Sequence, residues 1–184
     1  MTFSPIHIGF STPRKFNPAS AVVRWFTQSK ASHAFFIYFD HDWHLDMVLE
    51  AHEVGFRLIP YERFQQRNRI VAVYTPMLDI NVGTARVVKE FLGRAYDFGG
   101  LFGMSIVMLG RWLRRKWRNP WDSSKAAFCS EACVLALKYS DYPKAEHLTP
   151  HEMGPQDLMD FLDREAILSS NQLIKKQSVD SGRV

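Results

Sequence analysis

Apolar and polar positions along the 184-residue chain follow two different periods, and the places where the period changes mark out the elements. Ile6 to Phe10 is a short apolar run closed by Ser11, Thr12 and Pro13, the pattern of a first strand and turn. From Ala19 to Gln28 the period lengthens, with Ala21, Val22, Trp25 and Phe26 on one stripe, which predicts a helix. His33 to Phe39 is aromatic-rich and suits a strand, Asp40 to Trp43 supplies a turn, and His44 to Ala51 returns as the second arm of a hairpin. Phe56 to Ile59 and Ile70 to Tyr74 add two strands, separated by the polar stretch from Glu62 to Arg69. The expected sheet therefore has about five strands.

The second half of the chain changes to helical spacing. Asn81 to Leu92 repeats Val82, Ala85, Val88 and Leu92, with Pro76 and Asp79 just before it and Gly93 placed to end it. The basic segment RWLRRKWRNPW reads as a helix stopped by Asn119 and Pro120. Cys129 to Tyr139 is apolar at Cys133, Val134, Ala136 and Leu137, so a mostly buried helix is expected there, and a last one runs from Pro155 to Leu162 after Gly154. Past Leu168 the chain turns polar. The pattern predicts one α+β domain over 1–168, an antiparallel sheet packed against helices, and a frayed tail over 169–184.

Composition keeps this picture within ordinary globular limits: 46% hydrophobic, 23% charged and 14% aromatic residues are enough for a packed core. The formal net charge of +4 is concentrated in Arg111, Arg114, Arg115, Lys116 and Arg118. Beside the apolar stretch Leu101 to Leu109 and with Trp112 and Trp117 as anchors, the Arg111–Arg118 segment is a candidate for an anionic membrane surface, against the plainer reading of a solvated face. No specific nucleic-acid partner is expected. Leu101 to Leu109 is far shorter than the roughly 20 residues a bilayer span needs, and the N-terminus lacks the pattern of a secretory signal, so a cytoplasmic protein is expected.

Cys129 and Cys133 sit four apart on one predicted helix, a spacing that suits neither a disulfide nor a zinc site. Cysteine attacks as the thiolate, and Cys129, in FCSEACVLALKY, stands where the unpaired N–H groups of a helix start would lower its pKa. Cys133, one turn deeper, reads as core. Of the seven histidines, His33 opens the otherwise apolar strand SHAFFIYF and is the candidate base; His7, His41, His147 and His151 read as structural or solvent-facing. A base needs an orienting partner. Glu50, in the apolar setting VLEA, is the best candidate, with His44 as an alternative.

These residues carry a resemblance. SHAFFIYF with His33, VLEA with Glu50, GRAYDF with Tyr96 and Asp97, FCSEACVLAL with Cys129, Ser130 and Glu131, and PQDL at the last helix resemble the circularly permuted branch of NlpC-like papain-fold cysteine hydrolases, the YiiX/YebB-like group. In that branch the histidine strand precedes the cysteine helix, as here. The resemblance implies a circularly permuted papain-like fold with Cys129 as nucleophile, His33 as general base, Glu50 as the polar orienting residue, and Tyr96, Asp97 and Ser130 lining the site. It implies no metal and no cofactor.

The expected activity is that of a thiol hydrolase cleaving a peptide or peptidoglycan-type amide through an acyl-enzyme. Two alternatives stand beside it. One is a lipid-directed thiol acyltransferase resembling the lecithin–retinol acyltransferase group, although Phe128 stands where that group has an asparagine. The other is a binding module that keeps the fold without turnover.

Overall fold

A computed structural model describes residues 5–17, 20–21, 24–25, 28–52, 55–76, 78–91, 129–168 and 174–177. In chain order the elements are β1 (His7–Pro13), β2 (His33–Asp40), β3 (Leu45–His52), β4 (Gly55–Pro60), α1 (Tyr61–Arg67), β5 (Asn68–Pro76), α2 (Asn81–Phe91), α3 (Cys129–Tyr139), α4 (Pro155–Leu168) and β6 (Ile174–Gln177). The strands form one antiparallel sheet in the order β4-β3-β2-β1-β5-β6. The five expected strands are all present, and a sixth comes from the segment read as a frayed tail: Ile174–Gln177 pairs with Val73–Pro76 of β5. Four residues carry too little period for a strand to be read from sequence.

The hairpin is closed by Asp40, whose carboxylate accepts the N–H groups of Asp42 (3.0 Å) and Trp43 (2.9 Å), and by His44 at φ 52°. Its register sets Phe36 opposite Leu49 and Ile37 opposite Val48. Both faces of β2 are covered over Ala34–Ile37. Ala34 and Phe36 join Ile8, Phe10, Ala72 and Tyr74 on the side of α2, α3 and α4, while Phe35 and Ile37 pack with Val48, Val73 and Phe64 of α1 on the other. A strand buried on both faces has no polar face to show, which is why SHAFFIYF reads as a continuous apolar run. Gly9, opposite Phe35, leaves the space that the Phe35 ring occupies.

Several helices depart from expectation. The polar stretch from Glu62 to Arg69 contains α1, of which Phe64 is the buried residue; one apolar contact in two turns makes no stripe to read. In α2 the buried residues are Gly83, Thr84, Val87 and Phe91, whereas Val82 is 72% exposed and Ala85 is exposed as well. The reason is close approach to α3. A Cβ at Gly83 would overlap the carbonyl oxygen of Ala136 and the hydroxyl of Ser140, which instead accepts the Gly83 N–H at 3.1 Å. Small residues thus choose the face that hydrophobicity misassigns. Of the helix expected over Ala19–Gln28, the described residues Ser20, Ala21, Arg24 and Trp25 are helical, started by Asn17, whose side-chain oxygen accepts the Ser20 N–H at 3.0 Å, whereas Gln28 is a turn residue at φ 49°. Trp25, expected on its apolar stripe, is 74% exposed.

α3 ends where expected, at Tyr139. It buries Ala132, Cys133, Val134, Ala136 and Leu137, and each large apolar side chain so buried contributes about 1.5–3 kcal/mol. α4 continues past the expected Leu162 to Leu168. Among the described residues, no helix is long and apolar enough to cross a membrane.

Candidate active site

His33 is the first residue of β2, pinned there because Ser32 donates its N–H to the Ser11 carbonyl at 3.0 Å and Ser11 is the register partner of His33. The ring stacks on Phe35 (centroids 6.1 Å apart, 21° between planes) and lies beside Phe64 (6.4 Å), so aromatic packing restricts its rotation. It remains 21% exposed. β3 returns alongside, and Glu50 reaches diagonally to place Oε2 2.6 Å from His33 Nε2.

Glu50 is only 4% exposed, and a lone buried carboxylate would be costly. Its second oxygen is held from the next strand. Arg57 on β4 is the register partner of Glu50, and its Nε and Nη2 each lie 2.6 Å from Oε1. Arg57 went unnoticed in the sequence. The signal available there was a cation placed among apolar strand residues, in FRLIP, but only the register makes it the partner of Glu50.

Cys129 is the first residue of α3 and is 7% exposed. Its sulfur is hydrogen-bonded to the His33 ring and receives the backbone N–H groups of Ala34 and Ser130. Because Nε2 of His33 is engaged by Glu50, Nδ1 is the nitrogen left for the sulfur. Helix start and strand start therefore meet at one point, and each supplies an N–H donor to the thiol.

The electrostatics follow from this chain of contacts. Burial would raise the Cys129 pKa, but the His33 hydrogen bond, the charge of the ring and the two backbone donors override it, and the pKa is lowered from the ordinary 9.0. Burial would likewise lower His33, but its hydrogen bonds to Cys129 and Glu50 and their negative charges push it up from 6.5 to about 10. Burial raises Glu50 as well, and His33 and then Arg57 bring it below the usual 4.5. Both shifts run in the same sense, toward a thiolate beside an imidazolium. Cys133 behaves oppositely: buried, with the Cys129 charge nearby, its thiol is pushed well above 9.0.

Of the residues expected to form the site, Cys129, His33 and Glu50 are brought together. Ser130, expected to line it, turns its hydroxyl to the Met153 carbonyl (2.6 Å), tying the helix start to the loop before α4, while its N–H serves the sulfur. His44 stands in the hairpin turn, at the end of β2 opposite to His33, so Glu50 takes the place for which both were considered. His7 bonds Thr75 through Nδ1 at 2.8 Å, and His147 and His151 lie in short 3-10 turns. Tyr96, Asp97, Leu101 to Leu109 and the Arg111–Arg118 segment lie outside the described residues.

No family model matches the chain, and no curated protein matches it either. Among the described residues, no group of three or more His, Cys, Asp or Glu side chains could hold a metal ion. What these side chains bring together is a thiol whose pKa is lowered, an imidazole ring against it, and a carboxylate fixed behind that.

Proposed function

We propose that the protein is a cysteine hydrolase that cleaves an amide bond through an acyl-enzyme, and that its fold is a circularly permuted papain-like one. The observation that carries this reading is the His33 ring, hydrogen-bonded to Cys129 on one side and to Glu50 on the other, with the sulfur at a helix start. A buried structural cysteine has no need of a charged partner.

In the proposed reaction the Cys129 thiolate attacks the carbonyl carbon, and charge passes from sulfur to the carbonyl oxygen beside backbone donors of the helix start. The His33 imidazolium gives its proton to the leaving nitrogen as the C–N bond breaks, producing a thioester and a free amine. His33, now neutral, takes a proton from water as the water attacks the thioester. That step releases the acid and restores the thiolate–imidazolium pair. Glu50 holds the ring in place through both steps and, with Arg57 on its other oxygen, remains ionised.

The test is turnover of a generic activated acyl donor, p-nitrophenyl acetate, followed by intact mass. The expected result is release of more than one equivalent of nitrophenol, an adduct of about +42 Da on Cys129 in the presteady state, one acetyl group in place of the thiol hydrogen, and loss of both in Cys129→Ala and His33→Ala. Release that is unchanged in Cys129→Ala would overturn the proposal.

A further inference from the structure

Beside the His33 end of the sheet lies an open pocket of about 390 Å³ whose lining includes Thr12, Arg14, Lys15, Arg24 and Arg69. The four cations come from three separate stretches of chain. Arg69 is the register partner of Thr12 across the β1–β5 pairing, Arg14 and Lys15 follow β1, and Arg24 belongs to the helical residues between β1 and β2. Arg14 is fixed, its N–H donated to the Arg67 carbonyl at 2.9 Å and its Nε to the Gln65 carbonyl at 2.8 Å, so its terminal nitrogens are presented from a rigid stem.

Among the described residues, no carboxylate lines this pocket. Two of its lining residues also hold buried donors without a hydrogen-bond partner among the described residues, Nε of Arg24 and the hydroxyl of Thr12. Such groups are costly, and more so when charged, unless an acceptor reaches them. Four cations around one space call for more than a single negative charge. A phosphate, doubly charged with oxygens directed at several donors at once, answers this better than a planar carboxylate. The volume falls in the range of small-molecule sites and exceeds what a bare phosphate fills, leaving room for part of the molecule that carries it.

Thr12 follows Ser11, the register partner of His33, and ordinary strand spacings put its Cα roughly 6 Å from that of His33. We propose that this pocket binds a phosphate group carried by the molecule that Cys129 attacks. The first half stands on the pocket itself; the assignment to the substrate rests on Cys129 being the nucleophile.

The experiment is titration calorimetry at constant ionic strength with inorganic pyrophosphate and, separately, with a short-chain phosphatidic acid below its micelle concentration. One ligand is expected per chain, with affinity lowered about ten-fold in Arg24→Gln, as the loss of a charge-assisted hydrogen bond implies, and also lowered in Lys15→Gln, an exposed site where folding is not at risk. Arg86→Gln, on α2, is the control and should bind as the wild type. Similar affinity for both probes assigns the site to soluble phosphates, and a strong preference for the lipid phosphate assigns it to a headgroup. No binding of either, or equal binding in all three variants, overturns the pocket. Pyrophosphate near the wild-type Kd should also change the alkylation rate of Cys129 in the wild type and much less in Arg24→Gln; wild-type binding without that change overturns the assignment to the substrate. Failure of the nucleophile reading is seen separately, as a Cys129 no more reactive than Cys133 in the ligand-free protein.

Discussion

Oε2 of Glu50 lies 2.6 Å from Nε2 of His33, while Oε1 of the same carboxylate is held at 2.6 Å by Arg57 from the neighbouring strand. With the Cys129 sulfur on the far side of the ring, the ionised forms that these contacts favour alternate in sign along the site: thiolate, imidazolium, carboxylate, guanidinium. Each buried charge has an opposite neighbour, and the row is neutral in sum. This arrangement lets a carboxylate and a thiolate both survive burial in one small site.

Cys129 is expected to react with iodoacetamide at pH 7 at least ten-fold faster than Cys133, since one thiol is lowered and the other raised. In His33→Ala the rate at pH 7 should fall, and its rise with pH should move toward the range of an ordinary thiol. Peptide mass spectrometry of the two cysteines over a pH series reads both effects. Equal labelling of the two would contradict the ion pair.

Arg57→Gln should destabilise the protein by about 1–3 kcal/mol, because the buried Glu50 keeps its charge and loses one of two partners. The Glu50 pKa should rise, weakening the hold on the imidazolium and slowing Cys129 alkylation at neutral pH. The double variant Glu50→Gln, Arg57→Gln removes the charge together with its partner. It is expected to be at least as stable as Arg57→Gln in urea unfolding yet slower to alkylate, and a double variant that alkylates like the wild type would deny Glu50 its role.

The pH dependence of stability has a definite sign. His33, raised from 6.5 to about 10, contributes stability that is present in full below pH 6.5 and lost as pH rises through about 10. Cys129, lowered from 9.0, contributes stability present above 9.0 and lost as pH falls through its folded value. Between that folded value and 9.0, above 6.5, the two slopes cancel. From 9.0 to about 10 only the His33 loss remains, so stability should fall there. Urea midpoints from pH 7 to 10.5 should show the alkaline drop in the wild type and a smaller one in His33→Gln.

Much of this was legible in local sequence. The aromatic-rich run from His33 to Phe39, the turn at Asp40 to Trp43 and the return through Glu50 marked a hairpin, and the apolar spacing after Cys129 marked a buried helix with the cysteine at its start. A polar residue inside an apolar strand drew attention to His33 and Glu50 because burial without a partner is costly. Where reading failed, the deciding contact was distant in sequence. Val82 and Ala85 had the right period for a core stripe, but Gly83 meets the backbone of α3, and only that approach turns the neighbouring face inward.

The chain's own pattern determined five strands, the apolar run of α3 and the singling out of Cys129, His33 and Glu50, because period, turn chemistry and the cost of burying charge are local properties. Tertiary structure decided that Arg57 stands opposite Glu50, that Ile174–Gln177 closes onto β5, and that Arg24 joins Thr12 and Arg69 around one pocket. Each of these depends on strand register or on the packing of separated segments. A shift of one residue along a strand would send the same side chains to the other face, and no local period records which register the closed sheet adopts.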